Sequence, residues 1–417
     1  MSDVRAASAQ SEPWARPARG TRFLVRQLQR LLLQTTVGDI TIVLPNGQSL
    51  HRQAATAGPS AKLVIRRWRT VWRLMVGGEL AFADAFIDGD WWTPNLLAVL
   101  DFGARNEASM QRSISGTVVQ RMLCRLQHWR RRNTRRGSKR NIAAHYDLGN
   151  SFYERWLDRG MQYSSALFSK TDQTLEAAQE AKLDQVVELL EISGGERVLE
   201  IGCGWGAVMD RLLPRCDVTG ITLSAEQLAF ARQRVGGKDR AGRAEVRLQD
   251  YRDVSERYDR IVSIEMIEAV GEQFWPVYFQ KLRQALTDTG TVLLQAITIA
   301  EERFEKYRHQ PDFIQRYIFP GGVLPTADII KRHAANAGLE LVVHQPFGES
   351  YGQTLAVWRE RFLAAWPAIE RLGFDGSFKR MWEYYLCYCE AGFRNGAIDV
   401  GFYQLKPIVV PVSAARG

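Results

Sequence analysis

The glycine-rich turn at residues 202–206 constrains the fold of this chain more than any other feature. It comes directly after a short apolar strand pattern at 197–201 and directly before a helical pattern. Glycines at such a turn let the backbone bend tightly and approach a ligand without Cβ clashes. The spacing differs from the G-x-G-x-x-G of pyrophosphate binders and therefore favours a nucleoside ligand without phosphates.

The residues around this turn alternate between strand and helix patterns. A helical pattern at 174–192 precedes the first strand, and further strand patterns follow at 216–223, 244–249, 259–265 and 290–297. This order predicts an α/β fold with a doubly wound, mostly parallel sheet. A helix-rich insertion is predicted at 302–338, and edge strands are predicted at 339–345 and 402–410.

The N-terminal part has the patterns of a small α+β domain. Asn46-Gly47 predicts a hairpin turn, residues 63–65 a strand, and residues 68–75 a helix that ends before Gly77-Gly78. A further helix is predicted to start at 90–94 with Pro94 in its first turn. The predicted organisation is a polar leader at 1–20, an accessory domain at 21–129, a basic linker at 130–140 and the catalytic domain at 141–417.

Charge and cysteine usage limit the partners of the chain. The net charge is +9, and seven of the eleven residues from Arg130 to Arg140 are basic. The segment 22–34 is a basic amphipathic helix pattern, which suits either a membrane interface or packing on its own domain. The run at 130–140 is either a solvated linker or a contact for an anionic surface. No nucleic-acid-binding motif accompanies it, so a membrane is preferred over nucleic acid.

The five cysteines show no paired C-x2-C spacing. This usage favours a reduced cytosolic compartment and no structural zinc.

Polar residues follow the second and third strands of the predicted sheet. Thr222 and Gln227 can supply the ribose contact that an acidic residue usually makes. Asp250 can accept from an adenine amino group while Tyr251 stacks on the base. By position alone, each of these side chains suits a structural role equally well.

Seven segments give the chain a more specific resemblance. In order along the chain, they are 141–168, LEIGCGWG at 199–206, GITLSAEQ at 220–227, QDYRD at 249–253, SIEMIEAVG at 263–271, QRYIFPGGVLP at 315–325 and FGESYGQTL at 347–355. Together they resemble the cyclopropane-fatty-acyl-phospholipid synthase family, to which the mycolic acid cyclopropane synthases are related. The N-terminal 130 residues resemble, more loosely, the accessory domain of the phospholipid-acting members.

The resemblance implies a Rossmann-like class I methyltransferase fold, S-adenosylmethionine as the cofactor and a set of residues around it. The glycine turn would hold the cofactor, the next two strands would border its ribose and adenine, and a loop after the first helices would close over it. The implied set is Tyr163, Ser164, Glu200, Gly202, Cys203, Gly204, Trp205, Gly206, Thr222, Leu223, Gln227, Asp250 and Tyr251.

The resemblance also implies a bicarbonate ion in the active site. Its holders by position are Glu268, Tyr351 and the backbone of Ile297, with a main-chain contact from Ser165, where many members have cysteine. Gln295 stands where well-known members have histidine, and an amide donates one hydrogen bond but carries no proton. Cys389 lies at a position sometimes given a nucleophilic role, although a cysteine among aromatic residues more often packs in a core.

The expected reaction transfers a one-carbon unit from S-adenosylmethionine to the double bond of an unsaturated acyl chain in a phospholipid. A cyclopropane would form when bicarbonate, or Glu268 acting directly, removes a proton from a carbocation. The alternatives are a methylene- or methyl-branched product, a methyltransferase for a small soluble substrate, and a lipid-binding protein without activity. The expected location is the cytoplasm, peripherally at the inner face of the membrane, with a homodimer left open.

Overall fold

A computed structural model describes residues 21–114, 148–170, 172–236 and 242–408. The chain divides into two compact units, Met1–Thr117 and Val118–Gly417. The predicted leader at 1–20 and the predicted basic linker at 130–140 lie outside the described residues, so the predicted domain boundaries stay predictions.

The N-terminal unit contains a four-stranded sheet in the order β2-β1-β3-β4. Strands β1 and β2 form the antiparallel hairpin that Asn46-Gly47 predicts, closed by a bond from the Leu44 amide to the Gln48 carbonyl. The predicted strand at 63–65 is the end of a longer strand that runs parallel to β1. The four strands are β1 Val37–Val43, β2 Ser49–Gln53, β3 Thr56–Ile65 and β4 Trp91–Trp92.

The helices of this unit depart from the sequence prediction at two places. The helix predicted to end before Gly77-Gly78 continues through a kink, because Gly78 adopts φ 62° and ψ −150°, which glycine tolerates. The helix predicted at 90–94 begins only at Leu96, where the Asn95 side chain accepts from the Ala98 amide. The four helices are α1 Thr21–Leu32, α2 Arg69–Ile87, α3 Leu96–Arg105 and α4 Glu107–Ile114.

The first helix divides its apolar residues between the core and the surface. Leu28, Leu31 and Leu32 are buried, as core packing requires, whereas Phe23 is 56% exposed. The three arginines of the 22–30 segment are exposed at i, i+4 and i+8, so they share one face. The helix therefore packs on its own unit and still presents a basic surface.

The second unit is built on a seven-stranded sheet in the order β10-β11-β9-β8-β5-β6-β7. Strands β5 to β9 pair in parallel, and β10 and β11 are antiparallel additions. This confirms the doubly wound, mostly parallel sheet, but β11 lies between β9 and β10 and is not an edge strand as predicted. The strands are β5 Arg197–Ile201, β6 Asp217–Thr222, β7 Ala244–Leu248, β8 Tyr258–Ile264, β9 Leu286–Ile299, β10 Leu339–Pro346 and β11 Ile398–Pro407.

Helices flank this sheet, and several begin at side-chain caps predicted by ordinary helix chemistry. Thr174, Ser224, Thr326 and Asp375 each accept a bond from an amide in the first turn of the helix that follows. The α-helices are α5 Asn150–Tyr153, α6 Leu175–Leu189, α7 Ala207–Leu212, α8 Ala225–Val235, α9 Trp275–Ala285, α10 Glu301–Tyr307, α11 Ala327–Asn336, α12 Gly348–Glu370 and α13 Gly376–Arg394.

The predicted insertion at 302–338 contains α10, a short π-helix at Ile314–Ile318 and α11. Within the described ranges, no helix combines the length and the apolar character needed to cross a bilayer.

Candidate active site

The glycine turn leaves open space at its centre. Gly202, Gly204 and Gly206 have φ of 80°, 52° and 83°, so all three lie in the region that favours glycine. A Cβ on Gly204 would meet nothing within 4 Å, whereas one on Gly202 would lie 3.2 Å from Met266. The indole Nε1 of Trp205 donates to Asn150 Oδ1 at 2.7 Å, which fixes the turn against α5.

Glu200 lies next to the last residue of the strand before this turn and has an unused hydrogen-bonding oxygen. Its Oε2 is buried and has no partner, and burial raises the pKa of Glu200 to about 8. Buried polar atoms without a protein partner are uncommon and suit a ligand contact. An open glycine turn beside an unpaired carboxyl oxygen fits the amino and ribose groups of S-adenosylmethionine. The geometry is compatible with the predicted cofactor contacts of Glu200 and the three glycines, which stay predictions.

The polar residues predicted for ribose and adenine are already paired within the protein. Thr222 Oγ1 donates to Gln227 Oε1 at 2.9 Å. Arg252 donates to both oxygens of Asp250, at 2.8 and 2.6 Å. The Tyr251 ring lies edge-on to Tyr278, with centroids 5.4 Å apart. These contacts give the side chains a structural role, and their predicted cofactor contacts stay predictions, as do those of Cys203 and of Leu223, which follows β6.

The loop that carries Tyr163, Ser164 and Ser165 is held on both sides. From α6, Gln179 Nε2 donates to the Ser164 carbonyl at 3.0 Å and Lys182 Nζ donates to Ser164 Oγ at 2.9 Å. From α12, Thr354 Oγ1 accepts from the Ala166 amide at 3.1 Å. Loop and helices therefore form one packed wall beside the carboxyl ends of the strands, the edge at which ligands bind in open α/β sheets.

Glu265 accepts hydrogen bonds from three of the predicted catalytic residues. Its Oε1 accepts from the Ser165 amide at 2.9 Å and from Gln295 Nε2 at 2.8 Å. Its Oε2 accepts from the Tyr351 hydroxyl at 2.7 Å. Strand β8 delivers Glu265 to this point because it ends at Ile264, which is paired in parallel register with Gln295 of β9.

Glu268 makes a different contact from the one expected. Glu268 and the Ile297 backbone were both expected to bind bicarbonate, but Glu268 Oε1 accepts from the Ile297 amide itself at 2.5 Å, and Glu268 Oε2 is buried without a partner. Burial raises the pKa of Glu268 to about 8, and the nearby charge of Glu265 adds to the shift. At neutral pH its neutral form therefore predominates.

The three donors expected to bind bicarbonate already bond to a carboxylate of the protein, so they do not fit a separate ion. The Ser165 amide, Gln295 and Tyr351 all bond to the Glu265 carboxylate. The sequence reasoning did not assign a role to Glu265, although a charged residue at the end of a buried strand was a usable signal. We derive no reaction step through bicarbonate.

An aromatic cluster lies against these carboxylates. Tyr351 stacks on Phe393 with centroids 4.3 Å apart and meets Trp358 edge-on at 6.2 Å. Trp358 also packs against Tyr163 at 5.4 Å, and the Tyr163 hydroxyl bonds to the Tyr385 hydroxyl at 2.9 Å. Sequence reasoning included Tyr163 and Tyr351 but missed Trp358, Tyr385 and Phe393, which come from the two long C-terminal helices.

Cys389 is a thiol and not a thiolate in this site. Burial raises its pKa far above the ordinary value for cysteine, and the charge of Asp312 adds to the shift. A thiol in this state is a poor nucleophile. The structure therefore gives no support to a nucleophilic role for Cys389.

Comparison with known proteins identifies the family. The profile described as mycolic acid cyclopropane synthetase matches residues 133–403. The chain belongs to this family. It is an S-adenosylmethionine-dependent methyltransferase.

Two relatives extend the similarity beyond the matched interval. Tuberculostearic acid methyltransferase UfaA1 of Mycobacterium tuberculosis is 40% identical over 345 residues, which cover 78% of each chain. The cyclopropane-fatty-acyl-phospholipid synthase of Escherichia coli is 36% identical over 346 residues, covering 80% of this chain and 84% of that one.

A solved structure of mycolic acid cyclopropane synthase CmaA1 with SAH and CTAB has a TM-score of 0.61 and 32% identity. It covers 64% of this chain and 97% of CmaA1.

Proposed function

We propose that this methyltransferase adds a one-carbon unit to the cis double bond of an unsaturated acyl chain held in a phospholipid, and that the product is a cyclopropane. The observation that carries the proposal is the Glu265 carboxylate, held by three donors beside aromatic rings. An alkene attacked by a methyl group becomes a carbocation, which negative charge and aromatic faces stabilise.

The extent of the similarity supports a phospholipid as the substrate. The matches to the tuberculostearic acid and phospholipid enzymes span 345 and 346 residues, more than the interval 133–403 contains. CmaA1, by contrast, covers 64% of this chain although 97% of its own length is matched. Part of the N-terminal region is therefore shared with both enzymes, and the name of the E. coli enzyme specifies a phospholipid.

The cofactor, when bound, supplies an electrophilic methyl group on a sulfonium. The residues of the chain hold and shield the reacting groups. The glycine turn with Glu200 binds the cofactor, and the loop at 163–165 closes on it. Gln295 and Ser165 are fully buried, so water is excluded from this side of the carboxylates. The aromatic wall of Tyr163, Trp358 and Tyr351 lies beside the path of the acyl chain.

A branched product is the second candidate. Gln295 replaces a histidine of the resembling family and cannot carry a proton away from the site. One relative, at 40% identity, is named tuberculostearic acid methyltransferase. A methylene branch needs only a hydride shift in the carbocation before the proton is lost.

Lipid analysis tests the function and separates the two products. Purified enzyme is incubated with S-adenosylmethionine and vesicles of phospholipid with cis-monounsaturated chains. We expect the acyl chains to gain one CH2 and to fragment as a cyclopropane, while saturated chains stay unchanged. The fragment pattern of a methylene branch would select the second candidate, and methylation confined to soluble additives would reject the proposal.

We also propose that the enzyme acts peripherally at the cytoplasmic face of the membrane, through basic surfaces. On α1, the exposed arginines Arg22, Arg26 and Arg30 share a face next to Phe23, which is 56% exposed. Each basic residue near an anionic surface contributes roughly 1 kcal/mol at moderate ionic strength. We expect the basic run at 130–140 to contact the anionic membrane surface as well. This run lies outside the described residues.

Replacing Arg22, Arg26 and Arg30 with glutamine is expected to weaken binding to anionic vesicles by about tenfold or more, because three attractive charges are lost. The loss should shrink as salt is added, since screening already weakens the native interaction. Vesicle sedimentation measures both effects.

The matched control removes three exposed basic residues from the catalytic unit, Lys331, Arg332 and Arg371. Equal loss of binding in both variants would show that net charge alone matters and that α1 is not the contact.

A further inference from the structure

The Glu265 carboxylate makes the contacts that an exogenous anion would make. The Ser165 amide and Gln295 Nε2 donate to one oxygen at 2.9 and 2.8 Å, and the Tyr351 hydroxyl donates to the other at 2.7 Å. These donors come from three separate parts of the fold, namely a loop, a strand and a helix. These three donors form an anion-binding site, here called the cradle. The Glu265 carboxylate fills it.

The backbone at Glu265 is strained in a way that supports a functional role. Its φ is +49°, one of three positive values among the non-glycine residues of the described chain. A non-glycine residue in this region costs on the order of 1 kcal/mol or more and persists where the surroundings enforce it. Glycine is the residue that this conformation favours, so the strained glutamate is kept for its side chain.

A buried cation offsets the charge of Glu265. Lys182 is 1% exposed, and the charge of Glu265 is the first of four carboxylate charges that stabilise its ammonium. Burial lowers the pKa of Lys182 to about 8, so it remains mostly protonated at neutral pH. Burial raises the pKa of Glu265, while the three donors and Lys182 oppose that rise. Glu268 accepts a hydrogen bond from the Ile297 amide alone among the contacts described, so hydrogen bonding favours the negative charge on Glu265 over Glu268.

We propose that the Glu265 carboxylate takes the place of a bound bicarbonate ion and itself accepts the proton lost from the substrate, so that the enzyme works without bicarbonate. This inference rests on the proposed function. Glu265 would then be the built-in anion of the site, and Ser165, Gln295 and Tyr351 would position it.

The proton transfer balances without any further reactant. The alkene forms a bond to the methyl carbon as the sulfonium carbon–sulfur bond breaks, which leaves a neutral thioether and a carbocation. Glu265 then takes a proton from the transferred methyl group. The electron pair of that C–H bond closes the ring onto the cationic carbon. The carboxylic acid so formed returns its proton to solvent after product release.

The test compares the native enzyme with Glu265→Gly, Glu265→Gln and Glu268→Gln in bicarbonate-depleted buffer, with bicarbonate then restored. Native enzyme is expected to show the same turnover in both conditions. Glu265→Gly suits the backbone conformation and opens the cradle, so we expect a loss of about 100-fold or more that added bicarbonate reverses at least in part. Glu265→Gln fills the cradle with a neutral amide, and its loss of similar size should not be reversed.

Thermal melting gives a readout that does not depend on turnover. Bicarbonate at tenfold excess over its Kd should raise the melting temperature of Glu265→Gly by about 2 °C and leave that of the native protein unchanged. Dependence of the native enzyme on bicarbonate would overturn the inference while leaving the proposed function intact. Full activity of Glu265→Gln would also overturn it, and a larger loss in Glu268→Gln than in Glu265→Gln would assign the proton to Glu268. Absence of lipid product from native enzyme under every condition would instead reject the proposed function.

Discussion

Replacing Gly204 with valine is expected to abolish the binding of S-adenosylmethionine. Gly204 has φ of +52°, and a Cβ there would project into space that the protein leaves empty. A valine side chain would occupy the volume assigned to the cofactor. We expect a loss in affinity of about 100-fold or more, equivalent to roughly 3 kcal/mol. Isothermal titration calorimetry with the cofactor measures it directly.

The matched control is Gly338→Val, in the turn between α11 and β10. Gly338 also has a positive φ, +81°, and a Cβ there also meets nothing within 4 Å. Both substitutions therefore introduce similar backbone strain, but only one lies at the glycine turn. We expect Gly338→Val to lose stability and keep its affinity for the cofactor. Unchanged affinity in a folded Gly204→Val protein would refute the assignment of the glycine turn.

Replacing Glu268 with glutamine is expected to stabilise the protein at alkaline pH. The pKa of Glu268 is raised from 4.5 to about 8, first by burial and then by the charge of Glu265. A shift of this size, reduced for partial exposure, corresponds to about 3 kcal/mol of lost stability once the group is ionised. Glutamine keeps an oxygen for the Ile297 amide and never ionises. The melting temperature at pH 8.5 should therefore rise by about 5 °C.

The sign of this effect follows from proton binding. Because the folded pKa lies above the unfolded one, the stability of the native protein is fully present below pH 4.5 and is lost as pH rises through about 8. The gain from Glu268→Gln should accordingly be small near pH 5 and largest above pH 8.

Glu176→Gln serves as the control of opposite sign. The hydrogen bond from Arg361 lowers the pKa of Glu176, so its charged form stabilises the fold. That variant should be less stable than the native protein at pH 8.5. A Glu268→Gln protein no more stable than native at that pH would show that Glu268 is not held in its neutral form.

Much of the architecture could be predicted from local sequence patterns. The strands at 197–201, 217–222 and 244–248 were predicted because short apolar runs between glycine and polar residues specify buried parallel strands. The hairpin at Asn46-Gly47 was predicted because that pair favours the positive φ of a tight turn. The position of β11 was not predictable in this way, since strand order depends on pairing between residues about 100 positions apart.

The predicted helix boundaries were wrong where contacts with a neighbouring segment outweighed the local preference of the sequence. Trp91 and Trp92 pair with the end of β3 instead of starting a helix, and the Trp91 indole donates to the Phe82 carbonyl at 2.9 Å. Gly78 kinks α2 without ending it. In both cases the deciding contacts lie with residues that the local pattern does not include.

The sequence by itself determined the fold class, the glycine turn and the family, because these depend on residues that are close together in the chain. It also supplied Ser165, Gln295 and Tyr351 as members of one site through the resemblance. Only the tertiary structure decided what they hold. Residues 165, 265, 295 and 351 meet through hydrogen bonds that span up to 100 positions on one side of Glu265 and 86 on the other. Local sequence patterns do not show which residues so far apart in the chain are in contact. The role of the Glu265 carboxylate at their centre therefore follows only from the packing of the strands, the loop and the long helix.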